Sequence, residues 1–263
     1  MRILHNISPW KNEATKNAFF EIGIDLSGAY EILRVYEDDD RWPMIKKLID
    51  SLKINDRITT EFSKEELASA KFLQMLPDWH CGYPEPSDNF GFIERTYDTS
   101  LACDECNLGL IQRAPFRLKK IPSMGKKSIF QLNWVFDEYF VSIEAWERVF
   151  KAFDIKYRPV VLNKTSAEIE NIVQFMVPNI VELDIPSNFE VEICPKCAQT
   201  KYLPNFIGFT PTPKMDAHFD IFKSRQYFGS GGSAFHLVVV SAALYDAIQK
   251  AGIKGVNFKP CAE

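Results

Sequence analysis

Six cysteines are the residues best equipped for chemistry: Cys81, Cys103, Cys106, Cys194, Cys197 and Cys261. Four of them form two C-x-x-C pairs, Cys103-Asp104-Glu105-Cys106 and Cys194-Pro195-Lys196-Cys197. Two residues between thiolates let both sulfurs turn toward one ion on a tight knuckle. Two knuckles complete the closed tetrahedral set of four thiolates that suits structural Zn2+. The pairs are far apart in the chain, so the fold has to bring them together. A redox reading stays open beside the zinc one, because a thioredoxin-like site needs a C-x-x-C at a helix start after a strand. Phe189 to Ile193 reads as a strand, but Ala198 to Phe206 contains Pro204 and makes a poor helix. Cys81 and Cys261 read as ordinary thiols, since four sulfurs already satisfy the ion.

The elements that must position these knuckles show an internal duplication. Phe140 to Ala152 aligns without gaps on Val239 to Ala251. Each copy is a short apolar strand, a serine (Ser142 or Ser241) suited to N-capping, and an amphipathic helix. Trp146 matches Tyr245, Val149 matches Ile248, the early acids are Glu147 and Asp246, and the later cations are Lys151 and Lys250. Each copy then reaches Ile-Lys and closes on aromatic-cation-Pro, Tyr157-Arg158-Pro159 and Phe258-Lys259-Pro260. Each C-x-x-C precedes its capped helix at a similar distance. The expected fold class is α+β: duplicated strand–helix–strand half-modules, about 96–162 and 185–263, joined by a four-cysteine zinc site within 96–263. An N-terminal α/β region covers 1–95.

In that N-terminal region Ala29 to Tyr36 reads as a strand running into the acidic turn Glu37-Asp38-Asp39-Asp40. A helix follows Pro43, with Met44, Ile45, Leu48, Ile49 and Leu52 at helical spacing. Ser63 and Glu66 form a capping box, and the helix they open carries Leu67, Ala70, Leu73 and Leu76 up to Pro77. Residues 77–100 are irregular and Pro/Gly-rich, which marks the expected boundary. Trp79-His80-Cys81 reads as part of a packed loop.

The 263 residues are 46% hydrophobic and 25% charged, with a net charge of -4, which excludes a disordered chain and a globally basic nucleic-acid binder. No signal-peptide core and no apolar run of about 18 residues occurs, so a cytoplasmic, reducing setting is expected, without membrane contact. Locally, Arg113, Arg117, Lys119, Lys120, Lys126 and Lys127 make the segment Arg113–Lys127 basic and free of acids. This leaves a phosphate-binding reading open against a solvated hairpin. The acids Glu31, Glu37, Asp38, Asp39 and Asp40 have the opposite sign and could steer a basic protein. No hydrolase, phosphate-loop or dinucleotide motif is present. Gly229-Ser230-Gly231-Gly232-Ser233 reads as a hairpin turn, and His218 and His236 read as structural histidines.

The two knuckles, the Cys106-Asn107-Leu108-Gly109-Leu110-Ile111-Gln112 continuation, and the Val240-Ser241 … Gly252-Ile253-Lys254-Gly255-Val256-Asn257-Phe258-Lys259-Pro260 ending together resemble the double-CXXCG motif family. These are immunity proteins found beside bacterial polymorphic toxins. The resemblance covers residues from about 100 to 263. One departure is that Asn107 and Ala198 stand where the family carries glycine. Glycine there permits φ > 0, which Asn tolerates and Ala does poorly. The resemblance implies a cytosolic, non-catalytic protein that binds and blocks a cognate toxin. The acidic turn Glu37–Asp40 is a candidate contact surface. A nucleic-acid binder using Arg113–Lys127 and a thiol oxidoreductase using Cys194 and Cys197 are the competing expectations.

Overall fold

The computed structural model describes residues 1–9, 12–26, 32–205, 207–214 and 218–263. It divides into two compact units, Met1–Glu66 with Asn205–Gly208, and Leu67–Pro204 with Phe209–Glu263. Among the described residues no helix is long and apolar enough to cross a membrane.

In the first unit β1 (Arg2–Ser8) is the middle of a three-stranded sheet, flanked antiparallel by β2 (Leu33–Tyr36) and β3 (Asn55–Glu61). The expected strand over 29–36 appears as β2, and Ala29 to Glu31 lie outside the described residues. Helix α1 (Glu13–Glu21) is capped by the Asn12 side chain, which accepts from the Thr15 amide at 2.8 Å. Helix α2 (Trp42–Leu52) has Pro43 in its first turn and ends on Lys53 at φ 49°. Its apolar stripe buries Ile45 and Ile49 against Ile7, Phe19 and Val35.

Helix α3 (Lys64–Ser69) is opened by the expected capping box. The Glu66 amide donates to Ser63 Oγ (3.2 Å), and the Ser63 amide donates to the Glu66 carboxylate (2.8 Å). The expected continuation to Pro77 is overturned. The chain leaves the helix after Ser69 and runs as β4 (Phe72–Pro77). A six-residue run apolar but for Gln74 satisfies either period locally. Here Leu73 and Met75 alternate into the core and gain ladder partners on both sides, Val240 and Pro260 for Leu73 and Phe258 for Met75. The second unit thus begins near Leu67, and the boundary expected around 77–100 falls inside it.

After β4 come α4 (Phe92–Thr96), β5 (Tyr97–Asp98), β6 (Ile111–Gln112), β7 (Arg117–Leu118), β8 (Ile129–Phe130) and β9 (Phe140–Ser142). Helix α5 (Ile143–Arg148), β10 (Tyr157–Leu162), β11 (Glu168–Phe175), β12 (Ile180–Asp184), β13 (Val191–Ile193) and β14 (Thr200–Tyr202) follow. The chain finishes with β15 (Thr212–Lys214), β16 (Ile221–Ser224), β17 (Tyr227–Phe228), β18 (Val238–Ser241), α6 (Ala242–Lys250) and β19 (Val256–Pro260). The two larger sheets have the orders β7-β10-β11-β9-β8 and β15-β12-β16-β18-β4-β19, and two small ones are β13-β14-β17 and β5-β6.

The two strand–helix–strand segments have the same construction. β9 and β10 are both antiparallel to β11, so they run parallel with β11 between them. β18 and β19 are both antiparallel to β4 and run parallel around it. Ser142 and Ser241 cap α5 and α6, accepting from the Ala145 and Leu244 amides. Trp146 packs edge-on to Tyr157 and Tyr245 edge-on to Phe258, with centroids 4.7 and 5.0 Å apart. Val141, Phe150, Val240, Leu244 and Ile248 share one apolar cluster. The central strands β11 and β4 lie outside the half-module bounds 96–162 and 185–263, so neither segment closes its sheet alone.

Candidate metal centre

Each cysteine pair occupies the loop of a short antiparallel hairpin. The first lies between β5 and β6, where Asp98 pairs with Ile111, and the second between β13 and β14, where Ile193 pairs with Thr200. The two loops share one backbone plan. The amide four residues after the first cysteine donates to that cysteine's carbonyl, Asn107 to Cys103 at 2.7 Å and Ala198 to Cys194 at 3.0 Å. The cysteine's own amide donates to the carbonyl one residue further on, at Leu108 (2.8 Å) and Gln199 (3.0 Å). Closing these loops puts Asn107 at φ 58° and Ala198 at φ 57°, the left-handed region. In the first loop Gly109 is required, because a Cβ there would lie 2.6 Å from the Leu101 carbonyl oxygen.

The fold brings the four sulfurs together. Cys103 Sγ lies 3.8 Å from Cys194 Sγ, Cys106 Sγ lies 3.7 Å from Cys197 Sγ, and all four fall within 4.8 Å of one another. Metal–sulfur bonds of about 2.3 Å in a tetrahedron set sulfur–sulfur edges near 3.8 Å. The cluster is therefore sized for a four-thiolate metal. Cys106 and Cys194 are buried, and Cys103 and Cys197 are half-buried. The amides of Cys197 and Lys196 bring the Cys194 thiol down to about 7 by stabilising its thiolate. Burial pushes Cys106 up to about 12.

Further contacts brace the loops. Lys196 pairs with Asp104 from one loop to the other. The Gly229–Ser233 turn touches both hairpins. Asn107 Nδ2 donates to the Gly232 carbonyl (3.0 Å), while the Gly231 amide donates to Glu192 (2.9 Å) and the buried Lys201 ammonium donates to the Gly231 carbonyl. Gly229 sits at φ 121°, where a Cβ would meet the Ser233 carbonyl oxygen at 2.5 Å. The turn joins Phe228 to its antiparallel partner Phe235, as a hairpin turn should.

After Cys197 the chain turns directly into β14, so neither thiol of that pair stands at a helix N-terminus. Cys81 and Cys261 lie outside the cluster, and burial pushes Cys261 up to about 12. The acidic turn is largely paired. Arg2 grips Asp38 with two bonds of 2.7 and 2.9 Å, and Glu37 faces the His5 ring at 3.1 Å. Arg41 holds Asp39 down to about 2. Asp40 is exposed, and Glu31 lies outside the described residues. In the basic segment Arg113 bonds the Glu94 carbonyl, Arg117 bonds Ser166, and Lys127 pairs with Asp78 at 2.7 Å. His218 is exposed, and the His236 ring lies tilted against Tyr227 with centroids 4.3 Å apart.

Sequence reasoning missed a second constellation beside the metal centre. Asn107, Gly109 and Gly232 form one edge of a cavity of about 880 Å³. Inside it Lys223 Nζ lies 2.6 Å from Glu138 and 3.4 Å from Asp137. Glu138 also accepts from Gln174 at 2.8 Å. Burial raises the Glu138 carboxyl, while the two neighbouring carboxylates keep Lys223 charged well above its ordinary range against the cost of its own burial. The signal available in the sequence was the presence of charges inside apolar runs, Trp134-Val135-Phe136-Asp137-Glu138-Tyr139-Phe140 and Ile221-Phe222-Lys223. Trp134 (φ 68°) and Phe90 (φ 55°) are bulky residues in the left-handed region, a costly conformation that sets their rings at the cavity mouth.

Comparison with family models, with curated proteins and with solved structures gives no match to the chain.

Proposed function

We propose that this is a non-catalytic cytoplasmic binding protein whose related halves are clasped by one structural zinc ion, and that it neutralises a cognate bacterial toxin. The observation that carries the zinc reading is the four-sulfur cluster with edges of 3.7 and 3.8 Å. Four protein thiolates fill a tetrahedral ion's coordination, so such a site holds structure and leaves no position for substrate. Reduced thiols at metal-ligand spacing suit a cytoplasmic setting.

A duplication is supported by the matching hairpin loops, the capped helices and the aromatic pairs Trp146–Tyr157 and Tyr245–Phe258. If each copy begins with its own long strand, β4 and β11, the copies have exchanged these strands between sheets. The toxin-neutralising role rests on the resemblance carried by the two knuckles and the C-terminal segment. Glu37, Asp38, Asp39 and Asp40 are its proposed contacts.

The test is purification with and without the product of the adjacent gene, with metal analysis of the same sample. One zinc per chain and a stable one-to-one complex support the reading. A metal-free chain removes the zinc staple, and absence of a complex with an intact zinc site removes the toxin role alone.

A further inference from the structure

The cavity beside the metal centre is a built site with a definite chemical preference. Its mouth carries the half-exposed Trp134 and Phe90, whose ring centroids are 4.6 Å apart, with Phe92 stacked on the same indole at 6.2 Å. Deeper in, two carboxylates, Asp137 and Glu138, share the single ammonium of Lys223. Glu138 takes the short contact and the Gln174 bond. Asp137, one-fifth exposed, accepts the His236 amide at 3.3 Å and has only the longer approach to Lys223. Asp137 is therefore the less compensated carboxylate, and it lines the same cavity as the aromatic rings.

Aromatic faces attract cations and repel anions. Lys223 is enclosed by the two acids, so an anion entering the cavity would meet carboxylate first. We infer that this cavity binds an organic cation, a guanidinium or alkylammonium group on an apolar stem, with the charge against Asp137 and the stem lying against the packed Trp134 and Phe90 rings. Such a group is available as a free small molecule or as the arginine or lysine side chain of a protein. Its binding does not depend on the toxin-neutralising reading.

The test is calorimetric titration of the zinc-loaded full chain with butylguanidinium, hexylammonium, 1-hexanol and the peptide acetyl-Gly-Arg-Gly-amide. The cations are expected to bind about tenfold or more tighter than the neutral alcohol, because only they draw on the carboxylate. Asp137→Asn should remove that preference and leave hexanol binding as it was. Trp134→Ala and Phe90→Ala should each weaken hexylammonium and hexanol alike, about fivefold or more, because the stem they hold is the same in both. Tighter binding of the alkyl cations marks a small-molecule ligand, and tighter binding of the peptide marks a side chain. Equal affinity for hexanol and hexylammonium, or no binding of any cation at millimolar concentration, would overturn the inference without any variant having to fold.

Discussion

Asn107 and Ala198 adopt the same left-handed conformation, φ 58° and 57°, four residues after the first cysteine of their respective pairs. Each donates its amide back to that cysteine's carbonyl and so closes the loop that aims two sulfurs at one point. Asparagine takes this conformation at modest cost, whereas the alanine Cβ is crowded against its own backbone.

Ala198→Gly should therefore stabilise the protein. Relief of the left-handed penalty, about 1–2 kcal/mol, outweighs the extra chain entropy of glycine, about 0.5–1 kcal/mol. Asn107→Gly should give less, and it also loses the bond from Nδ2 to the Gly232 carbonyl. Urea unfolding of the metal-loaded forms measures both, and a destabilised Ala198→Gly protein would contradict the shared loop geometry.

Metal removal should be the largest single perturbation. Zinc bound by four thiolates contributes on the order of 10 kcal/mol to folding in small sites. Cys103→Ser and Cys194→Ser should lose the metal, and Cys81→Ser, outside the cluster, should retain it. Each ligand must release its proton to bind, so affinity falls with pH. Burial raises the Cys106 thiol, so its proton is released to solvent only as the metal binds in its place. Zinc transfer to a chromophoric chelator should therefore be more complete at about pH 6 than at about pH 8.

The two helix caps should differ in strength. Ser142→Ala removes one capping bond and should cost about 1 kcal/mol. Ser241→Ala should cost more, because Ser241 Oγ also donates to Asp220 at 2.6 Å. Thermal unfolding of the two variants side by side decides this, and equal losses would count against the Asp220 bond.

Burial lowers the His236 pKa below 6.5 and keeps the ring neutral in the folded chain. Below pH 6.5 the unfolded chain takes up a proton that the folded chain refuses. This part of the stability is thus complete above 6.5 and is lost as pH falls toward the lowered folded value. His236→Phe, which keeps a ring against Tyr227, should flatten the decline below pH 6.5. An unchanged pH profile of unfolding free energy would show that the ring titrates freely.

Lys223 should be a costly charge to neutralise. Lys223→Met leaves Asp137 and Glu138 facing each other in a buried site, and breaking such a pair costs about 3–5 kcal/mol. The double change Lys223→Met with Glu138→Gln should recover part of that loss. Denaturant midpoints of the single and double variants give the comparison.

Residue types and spacing alone determined the features whose physics is local. Two residues between thiols make a knuckle wherever they occur. Ser63 with Glu66, Ser142 and Ser241 satisfy helix amides within their own first turn. The Gly229–Ser233 turn follows from glycine's backbone freedom. Long-range pairing lay beyond that reach. The Phe72–Pro77 run suits a helix or a strand equally well by period, and only the β18 and β19 ladders on either side of it make β4 a strand. The insertion of β4 and β11 into the two strand–helix–strand segments, and the meeting of Lys223 with Asp137 and Glu138, join residues separated by tens of positions. Such contacts form because sheet edges seek partners and buried charges require opposite ones, wherever in the chain those partners lie, and so the tertiary structure alone decided them.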